Sequence, residues 1–535
     1  MGARSSRRIR RSLDPIALEV FNHRLSAIAE EMGLTLCRSA FSPNIKERRD
    51  YSCALFDVAG AMAAQAAHIP VHLGSAPRSV EAARSCHALD PGDVVILNDP
   101  FAGGTHLPDV TVVAPVFADD ALVGYTANRA HHADIGGMSP GSMPLSREIY
   151  QEGLRLPPVK IVRRGVIQED IVAIFLANTR IADERYGDLL AQLAALRVGG
   201  ARLVELVRRD GADVVAAAMA SLQSYAERLM RESLRRMPSG VFHGEDFLDD
   251  DGFGTRSIGI RAAVELADGS ARVDFSGSHA QVAGGVNANE AVTQAAVFYA
   301  FRCLAAAQIP TNAGMMRPLE VLAPLGSVVN ANFPAAVAGG NVETSQRIVD
   351  VLFRALAVAL PDRVPAASCG SMNNFAFGGF DAQRGRHYSY YETIAGGAGA
   401  SAAGDGESAV QTHMTNTMNT PIEALEADLP VRVVRYVVRR GSGGRGRNRG
   451  GDGLDREIEL RAPAELTILS DRRYHAPYGL RDGAPAKLGR NSLALPGRRA
   501  KDLPAKCSLS VPAGSRVRIR TPGGGGWGRK RVGRS

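Results

Sequence analysis

The chain is poor in several features that would each have fixed a class. Its 535 residues include six cysteines (Cys37, Cys53, Cys86, Cys303, Cys369, Cys507), scattered and with no C-x-x-C pair. That argues against a thiolate zinc module or a disulfide scaffold and fits a reduced compartment, the cytoplasm. No stretch of about 18 uninterrupted apolar residues occurs, so no membrane-spanning helix is expected. The Arg-rich start is followed by Asp14 and Pro15 rather than by the apolar segment of a secretory leader. No G-x-x-x-x-G-K-[ST] phosphate loop is present. The segment 441–446 spells G-x-G-x-x-G, but Arg and Gly follow it instead of a helix on which a pyrophosphate could sit. It reads as a mobile or tightly turning loop.

What is there is ordinary globular material: 45% hydrophobic and 22% charged residues. The length is about three to four typical domains, enough for two or more compact units. The net charge of +8 suggests an anionic partner at first. Residues 1–11 carry five Arg and no acid, and Arg529, Lys530, Arg531 and Arg534 close the chain. These nine cations leave a body near −1, so the excess belongs to two basic ends expected to be frayed. A nucleic-acid partner, suggested also by R-G-R-N-R-G at 445–450, would show itself as strong salt dependence; none is expected, nor is a membrane partner.

A helix is predicted from about Asp14 to Gly33, capped by Asp14, with Pro15 in its first turn and Gly33 as its stop. Tyr51 to Phe56, Asp93 to Leu97 and Val110 to Phe117 read as strands. Residues 166–237 turn helical and end at Pro238 and Gly240, the natural place for a boundary. The second half opens with strands (Ser257 to Leu266, Ala271 to Phe275) and continues with helices over Ala291 to Ala307 and Thr344 to Leu360. The predicted fold class is α+β, a β-rich core with surrounding helices and at least two subdomains. These are residues 14–240, carrying the functional loops, and 241–526, flanked by disordered basic ends at 1–13 and 527–535.

Two loops after strands concentrate chemistry. Residues 98–109 read N-D-P-F-A-G-G-T-H-L-P-D, and 128–134 read N-R-A-H-H-A-D. His106 and Asp109, three apart, can converge on one cation, and His131, His132 and Asp134 offer more donors. A mixed imidazole and carboxylate set suits Zn, Mn or Fe(II) with a position left open for water. The alternative is that these histidines satisfy core hydrogen bonds while Asp109 starts a turn. Glu47 and Asp50 precede the first strand, where from spacing alone a solvated charged loop is the favoured explanation. His68 and His72 fall on one side of an extended stretch, lining a site or packing in the core. Capping alone accounts for Thr344, whereas Asn341 and Glu343 matter only if their loop faces a ligand.

Taken together these blocks resemble the hydantoinase B / 5-oxoprolinase family. The matching segments are D-P-I-A-L-E-V-F-N-H-R-L at 14, S-P-N-I-K-E-R-R-D-Y-S-C-A-L-F-D at 42, H-I-P-V-H-L-G-S at 68, the loop at 98, and G-G-N-V-E-T-S-Q-R at 339. Further matches are Y-Y-E-T-I-A-G-G-A-G-A at 390, T-H-M-T-N-T-M-N-T-P-I-E at 412 and T-P-G-G-G-G-W-G at 521. The resemblance implies a B-type component of an ATP-dependent cyclic amide hydrolase, a hetero-oligomer whose actin-like, ATP-binding hydantoinase A type partner phosphorylates a small-molecule substrate. It implies a divalent metal (Zn, Mn or Fe) held by Glu47, His106, Asp109 and His131, with Asp50 as the alternative acid. His132, Asp134, His68 and His72 are then expected to orient ligands or move protons. A component of an ATP-dependent ketone carboxylase is the alternative activity.

Overall fold

A computed structural model describes residues 14–66, 68–305 and 309–529. The predicted N-terminal basic end, residues 1–13, and residues 530–535 lie outside them. The fold is α+β, with four β-sheets and helices packed around them.

Helix α1 (Pro15–Ser39) begins as predicted, with the Asp14 carboxylate accepting from the Ala17 N–H at 2.8 Å. It does not stop at Gly33. That glycine is an interior close-approach position, because a Cβ there would stand 2.6 Å from Cε1 of His68. Leu25, Met32 and Leu36 on its inner face are fully buried, each contributing about 1.5–3 kcal/mol. After the short helix α2 (Pro43–Lys46) comes a seven-stranded antiparallel sheet. Its strands are β1 (Tyr51–Phe56), β2 (Met62–Gln65), β3 (Val94–Leu97), β4 (Asp109–Ala118), β5 (Ala121–His131), β6 (Val159–Arg163) and β7 (Val166–Ile167), in the order β2-β1-β5-β4-β3-β6-β7.

Side chains alternate across this sheet. Cys53, Leu55, Val110, Val112 and Ala130 pack against α1 and the long helix at Ala182–Asp210. Ala54, Phe56, Val113 and Ala127 pack the other way, against the helix at Ala76–Cys86. In chain order these helices are α3 (Pro70–Leu73), α4 (Ala76–Cys86), α5 (Glu169–Ala177), α6 (Ala182–Asp210) and α7 (Ala212–Arg235).

The second half adds a four-stranded sheet, β11-β10-β9-β8, from β8 (Gly240–Asp250), β9 (Arg256–Ala267), β10 (Ser270–Asp274) and β11 (Leu319–Leu322). Helices α8 (Glu290–Leu304) and α9 (Ser345–Ala359) share its core. The expected loop into α9 is instead a π-helical turn, Gly340–Thr344, and Thr344 is not a cap: its hydroxyl donates to the Val286 carbonyl. Strands β12 (Asn374–Asp381), β13 (Arg386–Glu392), β16 (Ala464–Leu469) and β19 (Lys506–Val511) form a third sheet. Strands β14 (Val431–Arg439), β15 (Gly453–Leu460), β17 (Arg490–Ala494), β18 (Lys501–Leu503) and β20 (Ser515–Arg520) form a fourth.

The Gly-rich stretches are interior backbone crossings, so of the two readings of 441–446 the tightly turning one holds. The Gly524 N–H donates to the Gly451 carbonyl at 2.9 Å, Gly444 to Gly524 at 2.9 Å, and Gly526 to Ala484 at 3.0 Å. A Cβ on Gly524 would land on the Ala398 carbonyl, and one on Gly450 on the Gly524 carbonyl. Trp527, assigned from sequence to the basic tail, is 5% exposed and bridges to Asn448 and Leu480.

Candidate metal centre

Three neighbouring strands deliver the site. In the register of the sheet Asp109 pairs with His131, and Tyr51 with Ala130. The His131 N–H reaches one residue further, to the Asp50 carbonyl at 3.0 Å. Asp50, Asp109 and His131 therefore lie side by side at one end of β1, β4 and β5. The alternation that places Ala54, Val113 and Ala127 toward α4 places these three on that same face. His106 joins them from the turn before β4, where the Asp109 N–H donates to the His106 carbonyl at 3.1 Å.

Ligand atoms of His106, Asp109 and His131 all lie within 4.8 Å of one another. Nε2 of His106 is 3.2 Å and Nε2 of His72 3.3 Å from Oδ2 of Asp109. The Thr105 hydroxyl donates to the same oxygen at 2.5 Å. Behind the donors, Asn44 Nδ2 stands 3.2 Å from His131 Nδ1, and the Ser52 hydroxyl 3.0 Å from His72 Nδ1. Tyr391 stacks on the His131 ring at 4.6 Å between centroids and 7° between planes. Asp50, His72, Asp109 and His131 line a cavity of about 20 Å³, which is the room of one water molecule or ion.

This set fits a cation. Both nitrogens of His106, Nε2 of His131 and Oδ1 of Asp109 are buried without a hydrogen-bond partner; the His106–Asp109 approach is close enough for attraction but lacks hydrogen-bond geometry. Buried polar atoms are rarely left this way. Burial pushes the His131 imidazole well below its usual range, with His106 adding to the effect, so the ring is neutral and its lone pair available. Burial opposes the charge of Asp109, but the neighbouring His106 and His72 hold its carboxyl well below the usual carboxylate range. Asp50 is raised by burial, against Arg48 and His72. A bound cation would reverse that by favouring the carboxylate. Two imidazoles and one carboxylate converge here, with the Asp50 carboxyl lining the same cavity, and such a mixed set suits a Zn, Mn or Fe(II) site.

The other predicted residues are placed as follows. Glu47 ends α2, half-buried, and does not line the cavity; Asp50 does. His132, one residue past His131, faces the opposite side of the sheet, 3.0 Å from the side-chain oxygen of Gln192 on α6 and edge-on to Phe175. Asp134 organises a loop, accepting from the Gly136 and Gly141 N–H groups and from Arg180 at 3.0 Å. His68 packs edge-on against Tyr51, and burial lowers its pKa to about 4. Of the four residues expected to assist, only His72 reaches the donor cluster. Asn44, Ser52, Thr105 and Tyr391 escaped the sequence reading. Nothing in their spacing marks them, because they arrive from separate elements.

A family model described as hydantoinase B/oxoprolinase matches residues 14–530. The chain is 41% identical over 544 residues to 5-oxoprolinase 1 of Arabidopsis thaliana, covering 96% of this chain but 42% of that protein. It is 32% identical to the B component of a putative D-/L-hydantoinase of Pseudomonas sp. (strain NS671), covering 97% of this chain and 90% of the relative. Among solved structures it superposes on the ATP-dependent caprolactamase from Pseudomonas jessenii with a TM-score of 0.91 and 32% identity, covering 97% of this chain and 93% of the other. The chain thus spans less than half the length of the 5-oxoprolinase it matches and nearly all of the hydantoinase relative. It belongs to the hydantoinase B/oxoprolinase family.

Proposed function

We propose that this chain is the B-type component of an ATP-dependent cyclic amide hydrolase, in which a partner activates the amide and this chain completes ring opening at the His106–Asp109–His131 centre. The observation that carries the reading is the convergence of unpartnered imidazole and carboxylate atoms at one sheet end. Relatives named for 5-oxoproline, hydantoin and caprolactam support the substrate class. All three names denote rings closed by an amide.

Asp50, His106, Asp109 and His131 would hold a divalent ion, Zn, Mn or Fe. When bound, such an ion supplies Lewis acidity and brings the ionisation of water toward neutral pH. The chain's own part is positional. Thr105 and His72 fix Oδ2 of Asp109, Asn44 and Tyr391 fix the His131 ring, and the tight cavity keeps bulk water out. An amide carbon is a poor electrophile until its oxygen becomes a leaving group. Phosphorylation by an actin-like, ATP-binding partner of the hydantoinase A type supplies that, and the water held here adds to the carbon. The multi-component hydantoinase relative and the 42% coverage of a longer 5-oxoprolinase support a second component and a hetero-oligomer.

The test is ATP-dependent ring opening of 5-oxoproline, hydantoin and caprolactam by the chain co-expressed with its partner. Wild type opens at least one of them and His131→Ala opens none; turnover of all three unchanged in His131→Ala contradicts the proposal.

A further inference from the structure

A residue from the second half of the chain lines the same cavity as Asp109 and His131. Asn341 lies in the π-helical turn Gly340–Thr344, is 4% exposed, and lines the cavity. Its side-chain oxygen Oδ1 is buried without a hydrogen-bond partner. Within α-helices, such π-turns gather at functional sites, and an unpaired buried carboxamide is disfavoured unless a ligand completes it.

The turn that presents Asn341 is pinned from several sides. Oε1 of Glu152 accepts from the Val337 and Ala338 N–H groups at 3.0 Å each. The Gly340 N–H donates to the Gly285 carbonyl at 2.9 Å, and a Cβ on Gly340 would land on the Asn287 carbonyl. With this backbone held, Asn341 is kept at the cavity wall.

We propose that Asn341 reads the scissile amide of the substrate, its Oδ1 accepting from the ring N–H and its Nδ2 donating to the oxygen on the adjacent carbon. A small ring forces its amide into the cis form, so the N–H and the oxygen share one edge. A carboxamide presents one acceptor and donors of matching geometry. Once the oxygen is phosphorylated the nitrogen keeps its hydrogen only as the protonated imidate, so Oδ1, by accepting from that N–H, favours the more electrophilic form. After water adds to the carbon the nitrogen is an amine N–H that makes the same contact, and the phosphorylated oxygen leaves as phosphate. The substrate class this defines is a secondary cyclic amide with an unsubstituted scissile nitrogen. The cavity has room for about one water, so the ring edge enters as Met372 and Met414, which line it, swing aside; unbranched thioether chains adapt readily. The inference rests on the proposed cyclic amide function and names the group that recognises the bond to be broken.

The experiment uses the metal-loaded complex with its partner and a panel of five- to seven-membered lactams, each paired with its N-methyl analogue. Ligand-observed NMR and kcat/KM of ATP-coupled ring opening are measured, together with bound metal and Tm. Wild type prefers the N–H form by tenfold or more. Asn341→Ala reduces that preference to twofold or less, mainly through KM, with metal content unchanged and Tm unchanged or raised. Asn341→Ser serves if the alanine variant does not fold. A variant that keeps the tenfold preference overturns the role of Asn341 and leaves the hydrolase reading standing. A wild type that neither binds nor opens any member of the panel overturns both.

Discussion

The strand ends around His131 and the glycine crossings around Gly524 are the two most conspicuous stretches of this sequence, and the fold uses them in opposite ways. At the strand ends the backbone is hydrogen-bonded, as from the His131 N–H to Asp50 and from the His132 N–H to Pro108, and side-chain atoms are left unpaired: His106, His131 and Asp109 keep buried nitrogen and oxygen atoms with no hydrogen-bond partner. At the crossings there are no side chains, and the backbone groups are the contact, with Gly524 bonded to both Gly451 and Gly444. Unpaired side chains held by a rigid sheet signal a ligand. Paired glycine backbones at van der Waals limit signal packing. A glycine repeat resembling a phosphate loop and a histidine loop resembling a turn are told apart by where their polar groups end.

Substitutions at the two regions should therefore fail differently. The largest effect is expected from Gly524→Val, whose side chain has no space beside the Ala398 carbonyl; soluble folded protein is lost, a cost of about 3 kcal/mol or more, as circular dichroism and yield will show. A folded Gly524→Val would break the packing account. Next, His131→Ala lowers ATP-coupled turnover by a factor on the order of 10³ while the far-UV spectrum stays that of wild type. Smaller again is the effect of Glu152→Gln on pH dependence. Burial raises the Glu152 carboxyl from 4.5 to about 7, against the donors on it. Its neutral form is the one the fold prefers, so this stability is full below pH 4.5 and is lost as pH rises through about 7. The change amounts to about 3 kcal/mol. Denaturant titrations at pH 5 and pH 8 should show that slope in wild type and a flatter one in Glu152→Gln. Equal slopes would remove Glu152 as a titrating tie between the sheet end and the Asn341 turn. The smallest effect belongs to Arg449→Ala. Its partly exposed pair with Asp452 at 2.9 Å is worth about 0–1 kcal/mol, so chemical denaturation should barely move.

Much of this arrangement was legible beforehand. The strands predicted at Tyr51 to Phe56 and Val110 to Phe117 follow from β-branched runs between turn residues. The blocks at 98–109 and 128–134 point to His106, Asp109 and His131, which do come together, although Asp109 and His131 lie within β4 and β5 and not in loops after strands. What escaped was set by long-range contact. Gly33 reads as a helix stop because its need for space comes from His68, a residue on another segment. Glu47 and Asp50 look equivalent in sequence, and only the pairing of β1 beside β5 brings Asp50 to the cavity. His131 and His132 were both candidates, yet strand alternation sends them to opposite faces. Asn341 reaches the cavity from more than 200 positions beyond His131, a distance no local pattern encodes.

The central claim is that Asp50, His106, Asp109 and His131 form one cation site. Divalent metal per chain, measured by elemental analysis of wild type, Asp109→Asn, His131→Ala and Glu47→Gln purified side by side, tests it most directly. The account predicts about one ion per chain in wild type and Glu47→Gln, and less than roughly a tenth of that in Asp109→Asn and His131→Ala. Equal metal content in all four proteins would contradict it.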